Sequence, residues 1–307
     1  LNSGTPTVPV ATLNNPSPAA GDRFGISVAI SGARMVVGAY TNEGGAIDDG
    51  SAYVYDLSSG TPTAPVFTLN NPTPVNSEWF GWSVAISDMQ VVVGARREHT
   101  GATAAGSAYV YDLSSGTPTM PVVTLSNPDP AADDQFGSSV AISGTRVVVG
   151  AYLDDMGASN AGSAYVYDLS SSTPTVPVAA LTNPGPEASD NFGNSVTIDG
   201  AFVAIGTPND DTTNLEMGAA YIFGPHPLDQ DSDGLLDSWE VAQFGTTTGH
   251  NPLDDSDHDG IIELLELGFG LIPTLAGVGG LPPAIDEGGY LTMTITKQTG
   301  VTYEVQS

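Results

Sequence analysis

The chain has no cysteine and very few cationic residues. In 307 residues, 6 lysines and arginines stand against 35 aspartates and glutamates, for a net charge of −29. Without cysteine, thiol catalysis and disulfide bonds are excluded. So few cations cannot neutralise nucleic-acid phosphates or hold the chain on a bare anionic membrane. No stretch has the length of a membrane-spanning segment. We therefore expect no nucleic-acid partner, no direct membrane insertion, and a chain suited to divalent cations.

Glycine and proline, by contrast, are abundant and recur at fixed places. The dipeptide Phe-Gly stands at 24–25, 80–81, 136–137 and 192–193, a constant spacing of 56 residues. The text around it is nearly copied, from FGISVAISGARMVVGAY in the first repeat to FGNSVTIDGAFVAIGTP in the last. A fixed period of this size is typical of propellers and other repeat arrays.

Each repeat predicts four short strands. In the first repeat these are SVAIS (27–31), RMVVGAY (34–40), SAYVYDL (51–57) and APVFTL (64–69). We expect the repeated Phe and Tyr side chains to pack between neighbouring sheets, and the Gly after each Phe to allow a positive φ or a close backbone approach. The chain is therefore predicted to be all-β, with residues 1–224 forming a β-propeller of four-stranded blades.

One strand is missing from this pattern. After AAYIFG (219–224) no fourth strand follows, whereas LNSGTPTVPVATL (1–13) matches the end of a repeat. We expect residues 8–13 to supply the closing strand, because an unpaired sheet edge is exposed to other chains. The strand can close the last blade of its own molecule, or that of a neighbour, which would give a homopolymer by strand exchange.

The series Phe-Gly, SVAIS and Val-Gly-Ala resembles the FG-GAP repeat of integrin α-chain β-propellers and of many bacterial surface proteins. The resemblance covers about residues 8–224. It implies a propeller fold and a role in adhesion or surface display. Integrin-type propellers have seven blades and carry calcium loops between strands one and two, where this chain has short turns such as 87–90. The metal sites inside the blades and the integrin ligand surface are therefore not carried over.

An acidic segment (225–270) follows the repeats. Residues 229–240 (DQDSDGLLDSWE) fit the twelve-position calcium loop, with oxygens at positions 1, 3, 5, 9 and 12, Gly at 6 and an apolar residue at 7. Residues 255–266 (DSDHDGIIELLE) fit the same pattern, and hard carboxylate ligands favour Ca²⁺. The predicted Ca²⁺ ligands are Asp229, Asp231, Asp233, Leu235, Asp237, Glu240, Asp255, Asp257, Asp259, Ile261, Glu263 and Glu266.

The charge of this segment favours the same interpretation. From 229 to 266 there is no Lys or Arg, and each close pair of like charges costs about 1 kcal/mol even in bulk water. The run DSWEVAQF predicts a helical turn that carries Glu240 towards the ion. The segment resembles EF-hand loops and the DxDxDG repeats of thrombospondin type 3 and dockerin-like modules, in which calcium orders the chain. Such sites fill at extracellular calcium levels, so we expect an extracellular or cell-surface location.

The rest of the chain, residues 271–307, is predicted to be a linker and a partial β domain. Residues 271–289 are rich in Gly and Pro. Residues 290–296 and 301–305 alternate around Lys297–Gly300 and predict a β-hairpin or the start of a β-sandwich.

Two tryptophans, Trp79 and Trp82, break the repeat. The positions equivalent to Trp79 carry Arg23, Gln135 and Asn191. Local packing is the favoured interpretation, and a binding patch is the alternative.

Three hypotheses of function follow. The first is a secreted, Ca²⁺-stiffened adhesion or surface-display module whose propeller loops contact an extracellular protein or glycan. The second is a structural subunit of an extracellular filament or layer. The third is a carbohydrate-binding or carbohydrate-active protein, suggested by loop carboxylate pairs such as Asp133-Asp134 and Asp154-Asp155. Because no nucleophile elbow, phosphate loop or histidine pair is found, we expect no enzyme.

Overall fold

The computed structural model describes residues 7–43, 45–210, 217–224, 237–245, 285–286, 291–296 and 302–305. The chain divides into two compact units, Leu1–Gly224 and Pro225–Ser307.

The first unit is built of antiparallel sheets in which every strand pairs with its neighbour in sequence. We call these sheets blades 1 to 4. Blade 1 contains β1 (Ser27–Ser31), β2 (Arg34–Ala39), β3 (Ser51–Asp56) and β4 (Pro65–Asn70). Blade 2 contains β5 (Phe80–Ser87), β6 (Gln90–Ala95), β7 (Ser107–Asp112) and β8 (Val123–Ser126). Blade 3 contains β9 (Phe136–Ser143), β10 (Arg146–Ala151), β11 (Ser163–Asp168) and β12 (Ala179–Thr182). Blade 4 contains β13 (Ser195–Asp199), β14 (Phe202–Thr207) and β15 (Ala219–Phe223). The all-β prediction and the four blades are confirmed.

The second strand of each blade explains why its sequence is a continuous apolar run. In β10, Val147 and Val149 belong to the core shared with blade 2, whereas Val148 belongs to the core shared with blade 4. A strand between two neighbouring sheets buries both of its faces, so it needs apolar residues at successive positions. Three cores therefore lie between successive blades, and blades 2 and 3 each contribute to two of them.

The Phe-Gly dipeptide forms the tightest contact between blades. The ring of Phe80 is fully buried, and its centroid lies 5.7 Å from that of Tyr109. Phe80 forms a parallel backbone bridge with Gly50 of blade 1. Gly81 has φ 86°, and a β-carbon there would lie 2.4 Å from the carbonyl oxygen of Ser51. The positive φ and the close approach that the sequence predicted for this glycine are both confirmed.

The closing strand predicted at residues 8–13 is not formed in this structure. Residues 7–20 contain no strand, and Val10 is 100% exposed. Among the described residues, no strand pairs with β15 on its outer side. Pairing of residues 8–13 with β15 of the same chain is therefore wrong for this structure. The end of this segment packs elsewhere, because Leu13 lies against the apolar cluster of Val37, Ala39, Tyr53 and Tyr55 in blade 1.

The second unit is described in part. Its helix α1 (Asp237–Phe244) coincides with the run DSWEVAQF that the sequence predicted as helical. A three-stranded antiparallel sheet consists of β16 (Ile285–Asp286), β17 (Leu291–Thr296) and β18 (Thr302–Val305). The predicted hairpin is the β17–β18 pair, with Met293 opposite Val305. Among the described residues, no helix has the length and apolar character that a membrane crossing requires.

The close approach between blades gives a direct test. In Gly150→Ala, the new β-carbon would lie 2.1 Å from the carbonyl oxygen of Gly193 and 2.3 Å from Ser139 Oγ. Because backbone cannot move away without separating blades 3 and 4, we expect the free energy of unfolding to fall by about 2–3 kcal/mol. Urea denaturation measures it. In the control Gly116→Ala the β-carbon meets no atom within 4 Å, and we expect a change within about 0.5 kcal/mol. Equal stability of the two variants would contradict the packing described.

Candidate binding site

The two tryptophans that break the repeat lie at one end of blade 2. Trp79 directly precedes β5, and Trp82 is the third residue of this strand. Arg96 and Arg97 directly follow β6. Because β5 and β6 are antiparallel, the start of one and the end of the other lie side by side. The four side chains are therefore brought together by the strand pairing itself.

These side chains form a layered cluster of rings and guanidinium groups. The Trp79 and Trp82 rings are stacked, with centroids 5.6 Å apart and an interplanar angle of 19°. The Arg96 guanidinium carbon lies 3.4 Å from the centroid of Trp82, and that of Arg97 lies 4.7 Å from the centroid of Trp79. Tyr40 of blade 1 packs edge-on against both tryptophans, at 5.2 and 4.8 Å. We call Tyr40, Trp79, Trp82, Arg96 and Arg97 the arginine–tryptophan patch.

The patch is anchored to blade 3 as well. The Arg96 guanidinium donates a hydrogen bond of 3.4 Å to the Tyr152 hydroxyl, which in turn donates to Gln135 Oε1 at 3.2 Å. Burial lowers the pKa of Arg96 below its usual value, yet a guanidinium remains charged at any physiological pH. The Arg96 Nε atom is buried and has no hydrogen-bond partner in the described part of the chain. The patch thus belongs to blades 1 and 2, and its contact with Tyr152 of blade 3 helps to hold Arg96 in a fixed position.

The two arginines of the patch are not paired with acids. In the described residues the ion pair within 4.0 Å is Arg34 with Asp56, at 3.9 Å, and neither Arg96 nor Arg97 forms one. This is unusual in a chain with a net charge of −29. Both guanidinium groups lie over ring faces. Arg96 already donates one N–H to Tyr152 and its Nε is buried, so the ring contact leaves the N–H edge of Arg97 as the more available one. The patch can therefore accept a carboxylate or another anionic group from outside the chain, mainly through Arg97.

The local packing of Trp79 and Trp82 is confirmed, and the binding patch stays a prediction. The rings pack against one another, against Tyr40 and against the two arginines, and both tryptophans remain partly exposed. Arg96 and Arg97 were not predicted as site residues from the sequence. The signal was present, because the equivalent positions hold Tyr40-Thr41, Tyr152-Leu153 and Pro208-Asn209, so only the second repeat places arginine there.

A second recurring feature is a buried carboxylate before each Phe-Gly. In blade 3, Asp134 accepts hydrogen bonds from Asn127 Nδ2 and from the backbone N–H of Ala131, both at 2.7 Å. The acid fixes the Asn-Pro turn that leads into the blade, which gives the recurring Asn-Pro pairs their physical role. Equivalent Asn–acid pairs are Asn15–Asp22, Asn71–Glu78 and Asn183–Asp190.

A second set of buried acids follows the second strand of the blades. Asp154 accepts a hydrogen bond of 2.9 Å from the Tyr165 hydroxyl, and Asp210 accepts one from the Tyr221 hydroxyl. In blade 2, Glu98 accepts one of 2.7 Å from Ser107. The pairs Asp133-Asp134 and Asp154-Asp155, which suggested carbohydrate chemistry, each contain one such buried structural acid. In the described residues no group of three or more acids and histidines has the geometry to hold a metal ion.

Burial changes the ionisation of these acids. Desolvation raises the pKa of Glu78, Asp134 and Asp154, and hydrogen bonds from their neighbours oppose the shift. Repulsion adds to the effect, from Glu98 on Glu78 and from Asp154 on Asp134. The core between blades therefore contains carboxyl groups that bind a proton more tightly in the folded state than in the unfolded state.

Of the predicted calcium ligands, Asp237 and Glu240 lie among the described residues. Asp237 is the first residue of α1, and Glu240 lies in its first turn with 0% of its surface exposed. A buried carboxylate at the start of a helix that follows the loop suits the twelfth loop position, where a glutamate turns back to the ion. The remaining predicted ligands lie outside the described residues: Asp229, Asp231, Asp233, Leu235, Asp255, Asp257, Asp259, Ile261, Glu263 and Glu266.

The successive antiparallel sheets, joined at a Phe-Gly dipeptide, define the chain as a β-propeller-type repeat protein. The family model of the FG-GAP repeat matches four times, at residues 9–55, 74–111, 120–167 and 176–223. The matches cover more than half of the sequence, and the chain belongs to the FG-GAP repeat family. No curated protein matches it.

Several solved structures have a similar arrangement of strands. The computationally designed Ika4 protein is 16% identical with a TM-score of 0.40, over 69% of this chain and 95% of its own. The computationally designed Ika8 protein is 15% identical with a TM-score of 0.37, over 66% of this chain and 45% of its own. Chaetomium thermophilum Raptor is 10% identical with a TM-score of 0.37, over 63% of this chain and 14% of its own. At these TM-scores the similarities carry no argument about function.

The raised pKa values predict how stability depends on pH. These carboxyl groups have a pKa of about 4 in the unfolded chain and a higher pKa in the folded protein. The free energy of unfolding should therefore fall as the pH rises from the unfolded pKa through the folded pKa, and it should stay lower above that range. We therefore expect the melting temperature to increase between neutral and mildly acidic pH.

Asp134→Asn tests the contribution of one buried acid. The amide oxygen of Asn can still accept from Asn127, but it does not titrate, so the increase in melting temperature on acidification should become smaller. Asp133→Asn removes the same charge from the exposed neighbouring position and should leave the pH dependence as in the parent chain. If the melting temperature changed with pH by the same amount in both variants, general charge repulsion, and not burial of Asp134, would be the cause of the effect.

Proposed function

We propose that this chain is a non-catalytic, extracellular adhesion or surface-display module, which binds an acidic group of a protein or glycan through the arginine–tryptophan patch. The observation that supports the proposal is the pair Arg96 and Arg97, which rests on two stacked tryptophans and has no carboxylate partner in the described residues. Membership of the FG-GAP repeat family agrees with an adhesive role, because such repeats occur often in surface proteins.

The chemistry of the patch favours a carboxylate. A guanidinium group offers two parallel N–H donors that match the two oxygens of a carboxylate. The side chains that carry these donors are ordered before binding by their ring contacts, so little conformational entropy is lost when a ligand docks. The negative charge of the rest of the chain repels acidic polymers elsewhere on its surface and directs them to this cationic place.

Calcium has a stiffening role in this proposal. The two acidic loops at 229–240 and 255–266 would each hold one Ca²⁺ through carboxylate oxygens and one backbone carbonyl. Binding would neutralise part of a segment without any Lys or Arg, and so order the region that follows the blades. Extracellular calcium is sufficient to fill sites of moderate affinity, which is the reason for the proposed location.

Acidic glycans test the binding proposal. We expect the chain to bind an array of uronic-acid and sialic-acid glycans better than neutral glycans, and Arg97→Ala to weaken that binding about tenfold, equivalent to about 1.4 kcal/mol. Surface plasmon resonance on the best glycan measures the change.

The matched control is Arg146→Ala, which removes the same charge at the start of β10, at the opposite end of the strands from the patch. It should bind as the parent chain does. A chain that binds no acidic glycan and no immobilised polyglutamate would contradict the proposed ligand chemistry, and equal losses in both variants would show that only net charge matters.

Calcium binding is tested by titration calorimetry on the whole chain. We expect one ion per acidic loop, and Asp257→Ala should abolish one of the binding events because it removes a loop ligand. Asp254→Ala removes an acid just outside the second loop and should keep both. Calcium binding that is absent in the parent chain, or unchanged in Asp257→Ala, would contradict the predicted site.

A further inference from the structure

Among the described residues, the stack of blades leaves two apolar faces without a neighbour. Val28 and Ile30 of blade 1 are 58% and 62% exposed, although their equivalents in blade 2, Val84 and Ile86, are each 8% exposed. At the other end, Ile222 of blade 4 is 75% exposed. The residues equivalent to Ile222, namely Val54, Val110 and Val166, lie in the cores between blades. We call the surface of Phe24, Gly25, Val28 and Ile30 the head face, and that of Ser195, Gly206, Gly218 and Ile222 the tail face.

Each of the two faces also carries one half of a hydrogen bond that recurs between successive blades. Wherever two blades meet, a serine of the first donates to a Phe-Gly carbonyl of the second. The bonds are Ser27 Oγ to Gly81 O at 2.9 Å, Ser83 Oγ to Gly137 O at 2.8 Å, and Ser139 Oγ to Gly193 O at 2.7 Å. The next serine in this series is Ser195, on the tail face, and the carbonyl that begins the series is Gly25 O, on the head face. Neither makes this bond within the described residues.

The backbone bridges follow the same rule. Gly50, Gly106 and Gly162 bridge to Phe80, Phe136 and Phe192 of the next blade. The equivalent glycine of blade 4 is Gly218, and the equivalent phenylalanine of blade 1 is Phe24. In each bridge the Phe N–H donates to the carbonyl of the residue before the glycine, as Phe136 N–H does to Ala105 O at 2.8 Å. The Phe24 N–H and the carbonyl of Met217, which precedes Gly218, are the donor and acceptor positions of one further bridge of this kind.

The tail face also has a glycine at the position where, in the other blades, a carbonyl of the next blade comes close. A β-carbon at Gly38, Gly94 or Gly150 would lie 2.0 to 2.1 Å from the carbonyl oxygen of the next blade. Blade 4 keeps this glycine as Gly206, where a β-carbon would meet atoms of Ser195 alone. The glycine is thus present where, among the described residues, no carbonyl of another blade approaches it.

A charged group at the tail face completes the match. In blades 1 to 3 the last serine of the first strand accepts a hydrogen bond from the turn of the next blade, as Ser143 Oγ does from Gly200 N at 3.2 Å. Blade 4 has Asp199 at this position. The corresponding turn of blade 1 offers the N–H of Gly32, and a carboxylate accepts such a bond more strongly than a hydroxyl does.

We propose that the tail face binds the head face of a second copy of this chain, so that blade 1 of one copy stacks on blade 4 of another. The second copy is the partner that fits, because each donor, acceptor and apolar residue required on either side is already present in this repeat sequence. Such a head-to-tail contact is heterologous. It produces a closed ring or an open filament, and both contain the same interface. It does not use the arginine–tryptophan patch.

The first experiment measures mass against concentration by sedimentation velocity and light scattering. We expect the mass of the parent chain to rise to at least twice that of one chain as the concentration increases. A chain that stays monomeric over the whole range would overturn the proposal and leave the two faces to another occupant.

Charged substitutions then locate the interface. Ile222→Asp disables the tail face and Ile30→Asp disables the head face, so each variant alone should stay monomeric. An equimolar mixture should associate again, because the intact tail of Ile30→Asp can bind the intact head of Ile222→Asp. Val176→Asp, at a 54% exposed site outside both faces, should associate as the parent chain does. Circular dichroism confirms that each variant is folded. Folded variants whose mixture stays monomeric, or loss of association in Val176→Asp, would overturn the head-to-tail assignment.

A smaller change tests this glycine of the tail face without adding charge. In Gly206→Ala the β-carbon meets Ser195 Oγ, which can rotate away, so the melting temperature of the dilute chain should not change. The incoming Gly25 carbonyl, being backbone, cannot move in the same way, and association should weaken at least tenfold. Association as strong as that of the parent chain would overturn the proposed stacking geometry.

Discussion

The close approach of one blade to the next, at the Phe-Gly dipeptide, is the constraint on which the structure depends. Only a residue without a side chain fits at Gly81, because φ is 86° and a β-carbon would lie 2.4 Å from the carbonyl oxygen of Ser51. The ring before it fills the space between the sheets, and the serine of the preceding blade bonds its carbonyl. Because the contact is backbone to backbone, its geometry changes little between repeats, and the rest of the blade can vary around it.

That variation separates structure from candidate function. Residues that recur at every period, such as the acid before Phe-Gly and the aromatic pair of the third strand, satisfy buried hydrogen bonds or fill the cores. Residues that appear in one repeat only, such as Trp82 and Arg96, lie at the end of a blade and reach its neighbours. A patch formed by two blades and anchored to a third becomes rigid because the blades beneath it are rigid.

Charge has two different roles in this molecule. The carboxylates between blades are desolvated and hydrogen bonded, and they hold turns in place at the cost of raised pKa values. The acids of the second unit stand close together in sequence without any Lys or Arg, an arrangement that suits bound cations. In this strongly acidic chain, Arg96 and Arg97 form no ion pair with an acid of the described residues. They therefore give one surface a local positive charge.

The sequence by itself determined the repeat, the order of strands within each blade, the burial of Phe80 and Tyr109, and helix α1, because periodicity and local propensity are written along the chain. It also pointed to Trp79 and Trp82. Only the tertiary structure decided that Arg96 and Arg97 stack on those rings, that Asp134 and Asp154 are buried acceptors, and that residues 8–13 do not close blade 4. These outcomes depend on which residues of different blades meet in space. A one-dimensional pattern states which side of a strand is apolar, but not which side chain lies opposite it.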